Sequence, residues 1–134
     1  MTQLDEVLSD MAKQIRGVWV LAVADNEGML IGSWQAPDNR ITPDLLVGQF
    51  VRVIRMLSTM FGEMMGQMGV NLGGGATLLE DIVLTTAFSY LMVRPIGNGY
   101  CYLVIDASKD VPLGLLRLAA TTNIPKVQQC LPGA

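Results

Sequence analysis

The chain has 134 residues, of which 51% are hydrophobic and only 16% are charged, and its formal net charge is −3 at pH 7. We expect residues 1–134 to form one domain, and because an average domain is roughly 25% charged, its excess apolar surface favours self-association. The nine Lys and Arg residues are scattered along an acidic chain, which argues against a nucleic-acid partner.

Targeting signals are not evident in the sequence. The first ten residues carry acidic side chains and no basic one, unlike a secretion signal. Apolar runs stay far below the ~20 residues of a membrane span, and charges at Arg52, Arg55 and Glu63 interrupt the most apolar segment. We therefore expect a cytoplasmic protein without a membrane span. Cys101 and Cys130 form no CxxC motif and are expected to be free thiols.

The first third of the chain predicts a helix followed by a β-hairpin. Apolar residues recur at helical spacing from Gln3 to Arg16, with Thr2 as the expected N-cap. Val18 to Ala24 is apolar on both faces, which predicts a central strand. Turn residues at positions 25–28 then lead into a second strand, Met29 to Gln35.

The most distinctive segment, Thr42 to Met68, predicts one long helix with Thr42 as N-cap and Pro43 at its first position. Its apolar residues fill one arc, which should face a sheet. They are Leu46, Val47, Phe50, Val53, Ile54, Leu57, Met60, Phe61, Met64, Met65 and Met68. The last methionines of this arc are thus expected in the core, whereas Met56 falls outside it. The opposite arc carries three glycines, which let another backbone approach closely.

The second half of the chain predicts a glycine-rich loop, three strands and a last helix. The loop runs from Gly69 to Ala76, and a Gly97-Asn98-Gly99 turn joins the last two strands. The final helix opens at residues 110–112 and is expected to bend or end near Pro125, because proline cannot donate the interior hydrogen bond. The three strands are Asp81 to Phe88, Ser89 to Pro95 and Tyr100 to Asp106.

Two groups of residues carry a family resemblance. In the first hairpin these are Gly17, Val18, Ala22, Val23, Asp25, Gly28 and Ile31, and in the last helix Leu113, Gly114, Leu115, Leu116 and Arg117. With this order of elements, the chain resembles the roadblock family from Leu4 to about Gln128. That family is related to dynein light chain roadblock and to bacterial regulators of Ras-like GTPases, including the gliding-motility GTPase-activating type. The resemblance implies an α/β, profilin-like fold: a single five-stranded, mostly antiparallel sheet with the long helix on one face and the terminal helices on the other.

The resemblance also implies a homodimer in which the long helices lie side by side and the third strands pair into one sheet. The exposed edge at residues 82–86 agrees with this, because an unpaired edge strand invites a second chain. Predicted dimer contacts are Gly48, Ser58, Thr59, Gly62, Gly66, Ile82, Leu84 and Thr86. For the implied Ras-like GTPase, the predicted contacts are Arg52, Arg55, Met56 and Glu63.

Catalytic chemistry is disfavoured by the residue types available. The chain has no histidine, which removes the usual general base and the commonest zinc ligand. Residues 73–75 are glycines, but the Lys-Ser or Lys-Thr of a phosphate-binding loop does not follow. The acidic pairs fall at ordinary turn and strand positions, namely Asp25 with Glu27, Glu80 with Asp81, and Asp106 with Asp110. We therefore predict no catalytic residue, metal site or cofactor.

The sequence thus favours a non-catalytic, homodimeric regulator or scaffold that binds a Ras-like small GTPase and modulates its nucleotide cycle, a candidate GTPase-activating protein. Stimulation of hydrolysis would act by positioning the GTPase's own switch residues, and an arginine finger from Arg40, Arg52 or Arg55 is the alternative. Two other functions stay open: a structural adaptor of a motor or signalling complex, and a small-ligand sensor whose pocket is closed by the Gly69 to Gly75 loop. A mixed dimer with a paralogue is equally compatible with the sequence.

Overall fold

Two central strands have side chains buried on both faces. The computed structural model describes residues 3–38, 41–69, 79–97 and 100–132. Strands β1 (Val18–Asp25) and β5 (Cys101–Ser108) are buried over nearly their whole length. Such strands need cover on both sides, because each face would otherwise expose a row of apolar side chains to water.

Helices supply that cover. The other elements are α1 (Gln3–Gln14), β2 (Leu30–Gln35), α2 (Pro43–Gln67), β3 (Ile82–Thr85), β4 (Ser89–Ile96) and α3 (Leu113–Gln129). The strands form one sheet in the order β2-β1-β5-β4-β3, and all neighbouring pairs are antiparallel. The predicted order of helices and strands is confirmed, and the sheet is antiparallel throughout.

The core has two layers, one on each face of the sheet. Helices α1 and α3 bury Leu8 and Leu116 against residues such as Ile105 of β5. Helix α2 buries Val47 on the opposite face, in the cluster that contains Val104. Each fully buried side chain of this size stabilises the fold by about 1.5–3 kcal/mol. The predicted placement of the long helix opposite the terminal helices is confirmed.

Helix α1 lies very close to the edge strand β2. A Cβ atom on Gly32 would stand 2.6 Å from Leu4 Cδ2, so only glycine permits this approach. At the next residue, the Ser33 N–H donates to Asp5 Oδ1 over 3.0 Å. A side chain of α1 therefore accepts a hydrogen bond from a backbone N–H group of β2.

The β1–β2 turn is built around one carboxylate. Asp25 Oδ1 accepts the N–H groups of Glu27 and Met29, each over 2.9 Å. Gly28 has φ +88°, a left-handed conformation that favours glycine. A Cβ on Gly28 would be 3.7 Å from the Gly48 Cα, so this turn touches α2. The predicted hairpin is confirmed, with β2 beginning at Leu30 instead of Met29.

Several predicted ends of elements were wrong, and strands β1, β4 and β5 also extend one or two residues beyond their predicted ends. Helix α1 ends at Gln14 instead of Arg16, and Gly17 with φ +97° leads the chain into β1. Strand β3 ends at Thr85 instead of Phe88, because the Thr86 hydroxyl oxygen accepts the Phe88 and Ser89 N–H groups and closes a turn. Helix α3 was expected to bend or end near Pro125, and it does not end there.

Helix α3 continues past Pro125 to Gln129 because its last turns are anchored in the core. Val127 is fully buried and Leu131, just beyond the helix, is nearly so. Their burial outweighs the backbone hydrogen bond that proline cannot donate. The predicted N-cap Thr2 and the turn residues Asn98 and Gly99 lie outside the described residues. Gly97 of that turn has φ +57°, and its carbonyl accepts the Tyr100 N–H.

Helix α2 has the predicted extent, with Thr42 as N-cap and Pro43 at its start, but Thr42 makes no side-chain capping bond. The prediction for its apolar arc was wrong beyond Ile54. None of residues 55–67 is buried, and Met60, Met64 and the adjacent Met68 are 50%, 50% and 70% exposed. At about 1.5 Å per residue the 25-residue helix is about 37 Å long. The apolar period simply continues past the part of α2 that the sheet covers.

By length and composition alone, α2 could cross a membrane, and among the described helices it is unique in this. Only 22% of its most apolar stretch is buried. Core helices of soluble proteins meet the same criterion, and the first half of α2 packs on the sheet through Val47, Val51 and Ile54.

Candidate functional site

The strongest candidate for a functional surface is the second half of α2, residues 55–67, which we call the α2 overhang. Met56, Met60, Phe61 and Met64 are exposed at helical spacing, and Met68 prolongs the apolar surface by one residue. Scattered apolar residues are normal on a protein surface, but a contiguous apolar patch marks an interaction site. The overhang therefore has the character of a contact surface.

A cationic hollow adjoins the overhang. Arg52, Arg55, Met56 and Thr59 line an open depression of about 330 Å³, which we call the arginine depression. Three of these were predicted as partner contacts and Thr59 as a dimer contact, so the fold brings both sets together. Within the described residues, the ion pairs are those of Arg94 and Arg117, and neither arginine of the depression forms one.

The two arginines differ in their surroundings. Burial raises the pKa of the Tyr102 hydroxyl, and the charge of nearby Arg55 offsets part of that rise. Arg55 thus lies within electrostatic reach of a β5 side chain, and Arg52 is exposed on α2. Glu63, the fourth predicted partner contact, is exposed on the overhang but does not line the depression.

The predicted glycine contacts of α2 are open in a single copy of the chain. A Cβ on Gly48, Gly62 or Gly66 would meet no atom of the described residues within 4 Å. Ser58 is half-buried and Thr59 is exposed, with the Thr59 hydroxyl donating to the Arg55 carbonyl oxygen over 3.0 Å. This side of α2 therefore has room for a second helix.

The predicted strand contacts lie at one end of the sheet. Strand β3 is an edge strand whose neighbour in the described ranges is β4. Ile82 is half-buried and Leu84 is exposed. Thr86 lies outside β3, and its hydroxyl and N–H are used within the β3–β4 turn. Ile82 and Leu84 thus remain candidate edge contacts, while Thr86 has a structural role in its own chain.

Comparison with known proteins rests on structure alone. No protein-family model matches the chain, and a comparison with curated proteins finds no match. Among solved structures, the Roadblock/LC7 domain from Streptomyces avermitilis superposes with a TM-score of 0.74 at 14% identity, covering 93% of this chain and 94% of that one. The chain has the roadblock fold.

Two further structures support this assignment. Myxococcus xanthus MglB has a TM-score of 0.74 at 19% identity, with 96% and 94% of the two chains covered. An MglB described as having a tetrameric arrangement has a TM-score of 0.77 at 15% identity, with 96% and 87% covered. At these identities the likeness shows the roadblock fold and leaves the function to be argued from the surface.

An ion-pair cluster that sequence reasoning missed fastens α3 to the roadblock sheet. Asp81, just before β3, pairs with Arg94 of β4 at 3.4 Å and Arg117 of α3 at 3.2 Å. Arg94 also donates to the Thr121 hydroxyl of α3 at 2.6 Å. Asp81 had been named only as an ordinary acid before a strand, because its partners are distant in the sequence. Phe88, 79% exposed, was missed as well.

A second cavity, of about 440 Å³, lies at the end of the roadblock sheet and is the relevant one for the ligand-sensor hypothesis. Its lining includes Asp25, Ile31, Tyr100, Cys101 and Leu131. Burial, and secondly the charge of Asp25, raises the pKa of the Cys101 thiol, which disfavours the nucleophilic thiolate. Cys101 and Cys130 are both free. The loop predicted as a lid lies outside the described residues after Gly69.

The acidic pairs also have structural surroundings. Asp25 is engaged in its turn, and Asp110 accepts from the Ser108 hydroxyl at 3.4 Å. Asp106 is 1% exposed and its Oδ1 has no hydrogen-bond partner in the structure. Over the described ranges, no three Asp, Glu or Cys side chains are grouped so as to hold a metal ion. Residues 73–75, the weak phosphate-loop candidate, lie outside those ranges.

Proposed function

We propose that this chain is a non-catalytic, cytoplasmic regulator or scaffold that self-associates and binds a Ras-like small GTPase. The observation that carries the proposal is the α2 overhang, a contiguous apolar and cationic surface that the chain's own sheet does not cover. Such a surface is stable in water when a second molecule covers it. The roadblock fold makes a second copy and a GTPase the partners to test first.

Self-association is supported by two separate features of one copy. The α2 side that carries Gly62 and Gly66 has open space for a neighbouring helix. Among the described residues the outer side of β3 has no strand partner, so it can pair with a second β3 strand. A two-fold axis would use both features at once, since each copy presents the same surface to the other. We therefore propose a homodimer as the basic unit.

The arginine depression is the surface that we propose for the GTPase. Arg55 and Met56 combine a cation without an ion-pair partner among the described residues with a flexible apolar side chain, which suits contact with an acidic, mobile switch segment. Phosphoryl transfer is accelerated mostly by placement and charge stabilisation. A regulator of this kind would act by ordering the GTPase's own switch residues, with Arg52 or Arg55 as alternative arginine fingers. Arg40 lies outside the described residues.

Light scattering after size-exclusion chromatography tests the proposal. The chain is run alone at several concentrations and with a candidate Ras-like GTPase loaded with GDP or with a GTP analogue. We expect a dimer that gains mass with one nucleotide state of the GTPase. Monomers at every concentration would contradict the dimer, and unchanged mass with every GTPase tested would contradict the second partner.

Variants locate the GTPase contact. Arg55→Ala with Met56→Ala should weaken GTPase binding about tenfold or more without changing the dimer mass. Lys126→Ala is the matched control, because Lys126 is an exposed helical cation on the opposite face of the sheet. Equal loss with both variants would remove the arginine depression from the proposal. A GTP-turnover assay separates a regulator, which changes the rate, from an adaptor, which binds without changing it.

A further inference from the structure

A cavity of about 440 Å³ lies where the β1–β2 turn meets the start of β5, and we call it the hairpin cavity. Its volume is within the roughly 300–1,000 Å³ that small-molecule sites span. The hairpin cavity and the arginine depression share no lining residue. A function of this cavity is therefore independent of the self-association and the GTPase contact proposed above.

The inner lining of the hairpin cavity is apolar and uncharged. Leu131 and Cys101 are buried, and burial raises the pKa of the Cys101 thiol, which therefore stays protonated at neutral pH. Ile31 is the residue that the pairing of β2 with β1 skips, since Leu30 and Gly32 are the paired neighbours. An unpaired residue of this kind re-aims its side chain out of the regular alternation of the strand. Here it supplies an apolar side chain, 42% exposed, to the cavity.

The outer lining is acidic and aromatic. Asp25 and Glu27 contribute carboxylates, Tyr100 contributes a half-exposed ring, and no lysine or arginine is among the described residues that line the cavity. Neither acid belongs to an ion pair within the described ranges. Carboxylates attract a cation, and the face of an aromatic ring adds a cation–π attraction. This combination favours a positively charged group at the mouth of the cavity.

Hydrogen bonds hold two sides of the hairpin cavity in place. On one side, Asp25 Oδ1 accepts the Glu27 and Met29 N–H groups, each over 2.9 Å. On the other side, the Tyr100 hydroxyl donates to the Pro132 carbonyl oxygen over 3.0 Å. A site whose walls are already ordered loses little conformational entropy when a ligand binds.

We infer that the hairpin cavity binds a small organic cation, with an ammonium or guanidinium group on an apolar body. The cationic group lies between the two carboxylates and the Tyr100 ring, and the apolar body contacts Ile31 and Leu131. A divalent metal ion is a poorer occupant, because hard cations take six or more oxygen ligands. Over the described ranges, no third acidic or cysteine side chain joins Asp25 and Glu27 to complete such a set.

Titration with 2-phenylethylamine, followed by amide chemical shifts in two-dimensional NMR, tests the inference on the full chain. We expect saturable shift changes at residues 25–31, 100–101 and 131. The neutral analogue 2-phenylethanol should bind at least about threefold more weakly, and the anion 3-phenylpropionate should not bind. Equal binding of all three, or shift changes confined to other residues, would overturn the inference. Displacement of the amine by magnesium chloride would overturn it in favour of a metal ion.

Removal of one charge at the mouth tests the role of the carboxylates. Glu27→Gln should raise the dissociation constant of 2-phenylethylamine about threefold or more, because Glu27 is exposed and its side chain makes no structural contact that the fold requires. Glu80→Gln is the matched control, since Glu80 is an exposed acid beside β3 at the far edge of the sheet. It should leave the dissociation constant unchanged. The same loss in both variants would show a general effect of net charge and would remove Glu27 from the site.

Two substitutions at Tyr100 separate the ring from the hydroxyl. Tyr100→Phe keeps the aromatic face and removes the hydrogen bond to Pro132, so affinity for the amine should stay within about twofold. Tyr100→Leu removes both, and the dissociation constant should rise about threefold or more. Circular dichroism without ligand confirms that each variant is folded. Equal affinities of the two variants would contradict the cation–π contact and with it the proposed position of the ligand.

Discussion

Single residues determine how closely the helices approach the roadblock sheet. At Gly32 the side chain of Leu4 occupies the place of a Cβ atom, and at Gly17 a Cβ would stand 2.8 Å from Val111 Cγ2. The first contact brings α1 against β2, and the second brings the segment before α3 against the residue that leads into β1. Gly32 is the more informative of the two sites for a substitution, because its backbone conformation is ordinary and only the space around it limits a larger side chain.

Gly32→Ala should lower the free energy of unfolding by about 1–3 kcal/mol, since the new methyl group would force Leu4 and α1 away from β2. Urea denaturation measures the change. Gly114→Ala is the control, because a Cβ there meets nothing within 4 Å and alanine favours a helix, so stability should hold or rise by up to about 1 kcal/mol. Equal stability of the two variants would show that α1 packs more loosely than these distances indicate.

Asp106 makes stability depend on pH. Burial raises the pKa of this carboxyl above its ordinary 3.8, and a hydrogen bond from Ser89 offsets only part of the rise. Because the folded pKa lies above the unfolded value, the contribution to stability is full below about pH 3.8 and is lost as pH rises through the folded pKa. At neutral pH the folded chain is therefore less stable than at that acidic limit, and Oδ1 of the buried carboxyl has no hydrogen-bond partner among the described residues.

Asp106→Asn should consequently stabilise the chain at pH 7, on the order of 1 kcal/mol, with the gain vanishing as pH falls toward 3.8. Urea titrations of both proteins from pH 4 to pH 8 measure the difference. Asp38→Asn, at an exposed position, serves as the control for removing one negative charge. A gain that is independent of pH would contradict the assignment to this carboxyl.

Helix α2 divides at about Ile54 into a half that belongs to the core and a half that belongs to the surface. Val47, Val51 and Ile54 are buried against the sheet, whereas Met60 and Met64 are half exposed. The two halves have the same apolar periodicity. The first half stabilises a single copy, and the second half is the surface that we propose for contact with a partner.

Replacing one large side chain by alanine in each half of α2 should separate these roles. Ile54→Ala should destabilise a single copy by about 2–5 kcal/mol through loss of buried contacts. Met64→Ala should change single-copy stability by less than about 0.5 kcal/mol but weaken self-association. Urea denaturation at a concentration below dimerisation, paired with sedimentation at higher concentration, measures both. Similar single-copy losses in the two variants would mean that Met64 is part of the core.

Sequence periodicity predicts the existence of elements better than it predicts what covers them. The α2 pattern correctly indicated one helix, yet it could not reveal that cover stops after Ile54, since that depends on the width of the sheet. For a related reason α3 does not end at Pro125, because burial of Val127 keeps the chain helical beyond it. The Asp81 cluster was unpredictable, since Arg94 and Arg117 meet Asp81 only in the folded chain.

At the scale of the whole molecule, the order of elements and the layering followed from the sequence, because nearly every strand is flanked by clear turn residues and the central ones are apolar on both faces. Exposed apolar side chains are most numerous on α2, and others lie at Ile31 of β2, Leu84 of β3 and Leu118 of α3. The candidate contacts Arg52, Arg55 and Met56 were predicted from one helix face, and the fold places them in one depression.

Self-association at these surfaces should make thermal stability depend on concentration. For a folded dimer of this length, a hundredfold increase in concentration should raise Tm by about 5 °C. Differential scanning calorimetry over that range measures the shift. The Met64→Ala variant, which should weaken self-association, should reduce the dependence. A constant Tm for the wild type would indicate that folding is independent of a second copy.

The close contact of α1 with β2 has a consequence for growth of the sheet. At the β2 end of the sheet, Asp5 accepts a hydrogen bond from the Ser33 N–H, and α1 packs closely against Gly32. At the opposite end, no side chain among the described residues covers the β3 edge in this way. A sheet with two receptive ends can add copies without limit and form a fibre. With one end capped, strand pairing stops as soon as two β3 strands have joined, so the chain can associate through its sheet without the hazard of polymerisation.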